Sequence, residues 1–349
     1  MSTTSSTTPR PTTSRSTVRA RWAALAVLPV LAITGCGGAA TSAGAAPEAF
    51  PPDGATIEWV VPSAAGGGND ILARIVAPAL GEELGATVQV VNREGGNQVI
   101  GLTALATAEP DGTTLGNTNL PSILGRYLDP SQQATFDRAS FTPVGSFASN
   151  DIVIAVPTKS PYQTVADLVA AAKADPGAVT AGTDSRAGDD HVNLAILEQE
   201  LGIDLNVVHY DSGADKVAAL IAGEVDLALG GVSSVFGPAE SGDVRLLTVV
   251  ADEPSPFLPQ VPTLASAGFD GVESMTSRFT LSVPAGTPDT TVTALQDALE
   301  KATARPAVQE ALKGAATQPD FLDAQEAAAL WAEREAVVKP IIADLLTQQ

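Results

Sequence analysis

A regular alternation of short apolar runs and amphipathic helical stretches occurs twice along the chain, and it is the feature that most constrains the fold. In the first unit, β-rich runs and helical patterns alternate at residues 57–61, 70–84, 87–91, 102–108 and 114–116. The same alternation restarts at 151–156 and continues to about 251, and a further β-rich run at 279–283 precedes a segment expected to be helical to the C-terminus. Strands that alternate with helices are typical of mostly parallel sheets covered by helices. The sequence therefore predicts an α/β protein whose two similar units enclose a cleft, with ligand loops at the carboxyl ends of the strands.

The N-terminus has the pattern of an export signal. Arg19 and Arg21 precede an apolar run at 22–33, and the small residues Thr34 and Gly35 stand before Cys36. The apolar run is too short to cross a bilayer core of about 30 Å as a helix. The segment is similar to a lipoprotein signal, which implies cleavage after residue 35 and lipidation of Cys36 at the outer face of the cytoplasmic membrane. A plain secretory signal with an incidental cysteine is the alternative, and residues 36–54 are predicted to be a flexible tether rich in Gly, Ala, Ser and Pro.

Composition narrows the class of function. The net charge of −21 disfavours nucleic-acid binding, because phosphate contacts need clustered Lys and Arg. With 4% aromatic residues, the core is expected to be aliphatic. The chain has only two histidines and a single cysteine, so it lacks the parts of a metal cluster or a Cys-His couple, and no G-x-S-x-G motif is present. We therefore expect a binding protein without cofactor or metal, and not an enzyme.

A glycine-rich loop follows the first predicted strand and opens the first helix. Backbone amides converge at such a point, so the loop suits an anion, and its candidate ligand residues are Ser63, Ala65, Gly66, Gly67 and Asn69. A tight turn without a ligand is the alternative. A nucleotide site is disfavoured because no Lys-Ser or Lys-Thr pair follows the glycines. We expect a side chain at Gly67 to obstruct the ligand or to force the loop out of a conformation that only glycine adopts.

Two more loops are expected to face the same cleft. Residues 182–191 lie between a strand and a helix and offer the candidates Thr183, Ser185, Gly188, Asp189 and His191. Short hydroxyl side chains near a helix start either cap that helix or bind a carboxylate, and the sequence leaves both uses open. Asn117 and Asn119 follow a strand of the first unit, and their amides suit a carboxylate or a simple loop.

Eight segments in order resemble the solute-binding proteins of tripartite tricarboxylate transporters, the Bug family. They are WVVPSAAGGGNDILAR, VVNREGGN, AEPDGTTL, SPYQTVADLVAAAKADPG, DDHVN, AALIAGEVDLAL, LPQVPTLASAGF and VPAGTP. The resemblance implies a two-lobed fold like that of the type II periplasmic binding proteins, a Venus flytrap with two crossing strands. By analogy, the crossings are near 151–156 and 279–283, one lobe contains 55–151 plus 280–349, and the other contains 152–279.

The resemblance also bears on single site residues. It implies that the loop at 182–191 lines the ligand cleft, although this chain departs from the family at Asp184 and Arg186. The Asp-His pair ending at His191 resembles the subset of the family associated with tricarboxylates. Tyr210 and Asp211 match a position that is either a ligand contact or a lobe packing site. Arg278 stands where many relatives have Trp, and we interpret it as a surface arginine rather than a pocket counter-ion.

The function implied by the resemblance is that of an extracytoplasmic receptor. Such a protein captures a small carboxylate, either a di- or tricarboxylate or a related organic acid, and delivers it to integral membrane transporter subunits. We expect a monomer that does not bind nucleic acid. One alternative is a sensory or structural lipoprotein of the same fold. Another is a receptor for a zwitterionic or cationic solute, suggested by Asp184, Asp189 and Asp190.

Overall fold

The computed structural model describes residues 50–183, 185–210, 212–251, 253–272 and 275–347. The predicted signal segment, Cys36 and most of the predicted tether lie outside the described residues, as do Asp184 and Asp211. Within the described ranges, no helix combines the length and the apolar character that crossing a membrane requires.

The chain begins with alternating strands and helices that end in a long strand. In order, these elements are β1 (Thr56–Val61), α1 (Gly68–Leu84), β2 (Thr87–Asn92), α2 (Val99–Ala106), β3 (Thr114–Asn117), α3 (Ser122–Leu128) and β4 (Phe141–Asn150). The residues at the two ends of α1 explain where this helix begins and ends. The first turn of α1 contains Asp70, where a carboxylate suits the positive helix end, and the helix stops at Gly85 in the left-handed conformation.

The middle of the chain repeats the alternation. Its elements are β5 (Ile152–Pro157), α4 (Val165–Ala174), β6 (Thr180–Thr183), α5 (Asp189–Leu201), β7 (Asn206–His209), α6 (Gly213–Ala222), β8 (Leu227–Gly231), α7 (Val232–Glu240) and β9 (Val244–Val250). Helix α4 begins at a capping box in which Thr164 accepts from the Asp167 amide and Asp167 accepts from the Thr164 amide. The last elements are β10 (Ser277–Pro284), α8 (Asp289–Ala304), α9 (Pro306–Gly314), β11 (Gln318–Leu322) and α10 (Ala324–Thr347).

The strands form two separate sheets. The first has the order β11-β4-β10-β3-β1-β2, and the second has the order β7-β6-β8-β5-β9. In each sheet three strands run parallel: β1 pairs with β2 and β3, and β6 pairs with β7 and β8. The remaining strands pair antiparallel. Helices follow all six parallel strands, so the carboxyl ends of these strands are also the places where helices begin.

Two passages of the chain connect the sheets. Strand β4 belongs to the first sheet and β5 to the second, with only Asp151 between them. The chain returns through residues 251–276 to β10, whose Ser277 pairs with Asn150 at the end of β4. The predicted class, a two-lobed α/β fold of the periplasmic binding protein type, is confirmed. The residue limits of the two lobes stay a prediction.

The buried core is largely aliphatic and has one part for each sheet. The first part contains α1 and α8 residues packed on the first sheet, with Trp59 and Phe147 in an edge-to-face contact at 5.7 Å. The second part packs α4 and α5 on the second sheet. A further cluster joins α2, α3, α5 and α10 through buried residues such as Leu124, Val192 and Trp331. This third cluster holds α5 of the second sheet against helices that belong to the first.

Four elements were missed by the sequence patterns. The region after 288 was predicted to be wholly helical, and this is wrong at β11, which lies at the edge of the first sheet and contains Pro319. Proline is tolerated at a sheet edge, but a proline within a segment argues against a strand when only the sequence is considered. Pro143 and Gly145 hide β4 in the same way, and Gly237 and Pro238 hide α7. Helix α3 has only seven residues, too few to show a helical period.

Candidate functional site

A cavity of about 520 Å³ lies where loops of the two sheets face each other. Every parallel strand contributes to its wall through the residues at or after its carboxyl end. The first sheet supplies parts of the loops after β1, β2 and β3. The second supplies parts of the loops after β6 and β7, and the end of β8 with the first turn of α7. Such crevices at strand ends are the usual ligand sites of open α/β sheets.

Five helices of eight or more residues begin at this wall. Helices α1 and α2 start there from the first sheet, and α5, α6 and α7 start there from the second, with wall residues at or next to their first turns. The first amides of a helix lack partners within the helix, and together with the helix dipole they place partial positive charge at the N-terminus. The cavity is therefore surrounded by backbone groups suited to an anion.

The glycine-rich loop after β1 is on the wall only in part. Gly67 and Asn69 line the cavity, whereas Ala65 and Gly66 do not. The Gly66 amide donates to Asp70 Oδ2 at 2.8 Å and is used inside the loop. This contact and a hydrogen bond from Arg74, the larger cause, hold the pKa of the Asp70 carboxyl below its usual value.

The expectation that Gly67 needs a glycine-only conformation is wrong. Its φ of −73° is open to any residue, and the left-handed glycine of the loop is Gly66, with φ of 81°. A Cβ built on Gly67 meets only Ala64 O, at 3.3 Å. A larger side chain at this position would therefore occupy space at the cavity wall, and it requires only a small shift of the Ala64 carbonyl rather than a different φ at Gly67.

Ser63 and a ladder of amides complete the wall of the first sheet. Ser63 lines the cavity, and its hydroxyl oxygen is buried with no hydrogen-bond partner among the residues that the structure describes. Trp59 Nε1 donates to Asn117 Oδ1 at 2.7 Å, Asn117 Nδ2 to Asn119 Oδ1 at 3.3 Å, and Asn119 Nδ2 to Asn69 Oδ1 at 2.7 Å. Asn119 and Asn69 are on the wall, whereas Asn117 lies one step behind and orients them.

The candidates of the loop at 182–191 divide into wall and supporting residues. Ser185 and Asp189 line the cavity, and Gly188 caps α5 without lining it. Thr183 is fully buried and its hydroxyl bonds His209 Nδ1 at 2.7 Å. His191 Nδ1 accepts from the Ala187 amide at 3.0 Å and is also off the wall. Tyr210 is not on the wall either, and Asp211 lies outside the described residues.

His191 is a neutral structural partner of this loop. Burial is the main cause that lowers the pKa of His191 to about 4, and electrostatic repulsion from His209 and Arg186 adds to it. Its ring centroid lies 4.6 Å from that of His209. The Asp-His pair thus shapes the loop through a buried imidazole rather than presenting that ring to the cavity.

Three cationic side chains on the wall escaped the sequence patterns or were misjudged by them. They are Arg126 of α3, Lys216 of α6 and Arg278 of β10. Arg126 is 1% exposed and donates to Ser185 Oγ at 3.2 Å, which connects α3 to the loop before α5. The surface interpretation of Arg278 is wrong, because its side chain is 20% exposed, pairs with Asp320 and lines the cavity. Arg186, by contrast, lies off the wall, with Asp129 at 3.7 Å.

The loop after β2 also lines the cavity and was not among the predicted site residues. Four consecutive residues have positive φ: Gly95 at 117°, Gly96 at 54°, Asn97 at 51° and Gln98 at 75°. Non-glycine residues seldom adopt this region, and such strain is concentrated at functional sites. The Glu-Gly-Gly-Asn run at 94–97 was the available signal.

Glu94, Asp189 and Asp190 are the acids that line the cavity, and the last two have partners within the protein. Asp189 Oδ2 accepts from Ser277 Oγ at 2.6 Å, and Asp190 forms an ion pair with Lys216. Asp189 and Asp190 therefore interact with groups of the protein itself, which weakens the hypothesis that they bind a cationic ligand. Among the described residues, no group of three or more His, Cys, Asp or Glu side chains is arranged to hold a metal ion.

A smaller cavity of about 280 Å³ lies between α5 and α10, away from the glycine-rich loops. Its wall contains Glu198, Asp204 and Asp344. Burial raises the pKa of the Glu198 carboxyl to about 6, although its Oε1 accepts from the Leu205 amide at 2.7 Å. No helix starts there, so the wide cavity at the strand ends remains the candidate site.

Comparisons with known proteins agree with this geometry. The profile of a family described as the tripartite tricarboxylate transporter family receptor matches residues 72–346. A Pseudomonas protein from the tcbD-tcbE intergenic region is 34% identical over 260 residues, which are 74% of this chain and 76% of that protein. A solved structure of a periplasmic transporter has a TM-score of 0.75 and 28% identity, and covers 84% of this chain and 98% of its own. An R. palustris protein solved with adipate has a TM-score of 0.73 and 25% identity, with coverage of 84% and 97%.

Family members are extracytoplasmic binding proteins rather than enzymes. The profile match extends over most of the chain, from within α1 to the last turn of α10, and it includes every strand of the two sheets except β1. This chain therefore belongs to the family of tripartite tricarboxylate transporter receptors.

Proposed function

We propose that this protein captures a small di- or tricarboxylate between its two lobes and delivers it to the membrane subunits of a tripartite tricarboxylate transporter. The observation that carries the proposal is the convergence of five helix N-termini, from both sheets, on one cavity. Carboxylates are stabilised by unpaired amides and by the positive ends of helices. Ser63 is a wall residue whose buried hydroxyl has no partner among the described residues, so it is a candidate for a further polar contact.

Contacts from both lobes also supply the free energy for closure. A ligand that bonds both walls favours the closed arrangement by the difference in its affinity for the two states. The adipate complex of the R. palustris relative supports a carboxylate as the ligand class. The protein acts as a receptor and catalyses no reaction in this proposal.

Calorimetric titration tests the ligand class. The panel is adipate, succinate, citrate, tricarballylate, glutamate and terephthalate, with spermidine as the cationic probe. At least one carboxylate should bind with a measurable enthalpy, and spermidine should not. Binding of spermidine together with failure of all carboxylates would overturn the proposal.

The wall itself is tested by Gly67→Val. The added side chain occupies the cavity wall and should displace a ligand carboxylate from the backbone amides of this loop. Loss of one charge-assisted hydrogen bond to the carboxylate costs about 1.5 to 3 kcal/mol, on the order of ten- to a hundredfold in affinity. Gly314→Val is the control, because a Cβ there meets nothing within 4 Å and the position is off the cavity. Equal affinity of the two variants would show that the loop after β1 is a plain turn.

We also propose a lipid anchor at Cys36 on the outer face of the cytoplasmic membrane, with the receptor acting as a monomer. The motif that ends at Cys36 supports the anchor. Cys36→Ser should yield a folded protein that is recovered in the soluble fraction after cell lysis and is monomeric by light scattering. Retention of the variant in the membrane fraction would contradict the anchor.

A further inference from the structure

Lys216 is a buried cation on the cavity wall of the second sheet. It is the fourth residue of α6, and its residue surface is only 2% exposed. A Cβ built on Gly182 would lie 3.4 Å from Lys216 Cγ, and one built on Gly230 would lie 2.7 Å from Nζ. The side chain therefore extends along β6 and β8 to reach the wall, and glycines at both strands leave it the room.

Among the described residues, two oxygens hold the ammonium at this place. Lys216 Nζ forms an ion pair with Asp190 of α5 and donates to Leu229 O at 2.6 Å. Asp190 is in the first turn of α5, where the helix dipole favours a carboxylate. Lys216 lies near the N-terminus of α6, where the same dipole disfavours a cation, so Asp190 offsets an unfavourable position.

Stability alone gives a weak reason for such a pair. A buried ion pair is often no better for folding than apolar side chains of the same volume, because both charges lose their water. Here the side chains are 2% and 4% exposed, and both lie on the wall of the candidate ligand cavity. Charged groups held in this way at a cleft are candidates for a role in ligand binding.

The first sheet presents its own cation to the same cavity. Arg126 of α3 lines the wall, and the starts of α1 and α2 lie on the same wall. Lys216 and the starts of α5, α6 and α7 form the corresponding region of the second sheet. A ligand with two carboxylates can therefore place one at each region, whereas a ligand with one carboxylate can satisfy only one region.

We propose that Lys216 is a specificity-determining residue, which receives one carboxylate of a dianionic ligand while Asp190 positions its ammonium. This inference rests on the proposed carboxylate-binding function and names a residue that selects among carboxylates. Its consequence is a preference for a dicarboxylate over the monocarboxylate of equal chain length. Adipate and hexanoate, each with six carbons, are the matched probes.

The test compares both probes by calorimetry in the soluble Cys36→Ser receptor, called wild type in this comparison, and in four variants made in it. The variants are Lys216→Met, Asp190→Asn, the double variant of these two, and Lys173→Met, an exposed control on α4. Lys216→Met removes the charge and keeps the length. The double variant also removes the buried carboxylate that the single change would leave uncompensated, so it preserves a folded protein if Lys216→Met does not fold.

Wild type and Lys173→Met should bind adipate at least tenfold more tightly than hexanoate. Lys216→Met and the double variant should lose about ten- to a hundredfold in adipate affinity and, with it, the preference over hexanoate. Asp190→Asn should stay within about fivefold of wild type, because the cation remains. A pair with only a structural role predicts instead that Asp190→Asn and Lys216→Met weaken both probes alike.

The results separate the two proposals. If wild type binds none of the carboxylates, the proposed function itself fails. If wild type prefers adipate and the double variant keeps that preference, the function stands and the role of Lys216 is refuted. Equal binding of adipate and hexanoate by wild type also refutes it.

Discussion

Gly125 is in α3 at a point where the two lobes touch. A Cβ built on it would lie 1.8 Å from Ala187 O, 2.7 Å from Ala187 C and 3.0 Å from Ala187 Cβ. Contacts below 3.0 Å are not compatible with real side chains, and the atoms in the way belong to backbone. Gly125→Ala must therefore separate α3 from the loop before α5 by more than 1 Å, roughly the gap between this contact and ordinary van der Waals distance.

The cost can be estimated from the surroundings. Overpacking a tight interior typically costs about 1 to 3 kcal/mol, and the better helix propensity of alanine returns about 0.5 to 1 kcal/mol. The upper part of this range applies, because Ala187 is 3% exposed and already held at φ of 52°, so it has little freedom to yield. We expect a net loss of about 2 kcal/mol, which corresponds to a fall in Tm of roughly 3 °C for an unfolding entropy of about 2.1 cal/mol/K per residue over about 300 residues.

The assay is thermal and urea unfolding of the ligand-free protein, with Gly314→Ala as the matched control. Gly314 is also in a helix, and a Cβ there meets nothing within 4 Å. The control should therefore melt at or slightly above the wild-type Tm. Gly125→Ala should also weaken adipate binding, since the displaced loop contains Ser185. A Tm for Gly125→Ala within about 1 °C of the control would refute the close approach of α3 to Ala187.

Three further predictions concern protons and a helix cap. Because the pKa of His191 falls from 6.5 to about 4 on folding, the unfolded chain binds more protons between these values, and stability should fall by about 3 kcal/mol as pH drops from 6.5 to 4. NMR titration of the two histidines measures the pKa directly, and a value near 6.5 for both would contradict the burial. The contribution of Glu198 to the pH dependence of stability has the opposite sign. Its pKa rises from 4.5 to about 6 on folding, so stability falls as pH rises through this window. Glu198→Gln should remove that loss and raise stability at pH 7.5 by about 1 kcal/mol after allowance for partial exposure, and an unchanged urea midpoint would argue against it. Thr164→Ala should cost about 1 kcal/mol by removing the capping box of α4, whereas Thr164→Ser should stay near wild type in the same urea titration.

The architecture was largely accessible from the sequence. Strand and helix periods come from near neighbours along the chain, so the α/β class, the two units and the extent of α4 followed from local patterns. The predicted family is confirmed by the profile match. The glycine-rich loop and the polar strand ends also indicated the correct side of each sheet, because helices that follow parallel strands begin at the same edge.

The charged part of the site was decided by tertiary structure. Lys216 and Asp190 are 26 positions apart, and no local pattern distinguishes Lys216 from an exposed helical lysine. Arg126 is in a helix that is too short to show a helical period in the sequence. Strand β11 forms by pairing with the edge of β4, which is distant in the chain. Conversely, His191 and Thr183 have the residue types of a binding site, but neither lines the cavity. Thr183 forms a hydrogen bond with His209, and His191 accepts one from the Ala187 amide. Sequence determined which loops meet, because this depends on chain direction and local period. Only the packed structure decided which residues in those loops line the cavity, because that depends on contacts between residues far apart in the chain.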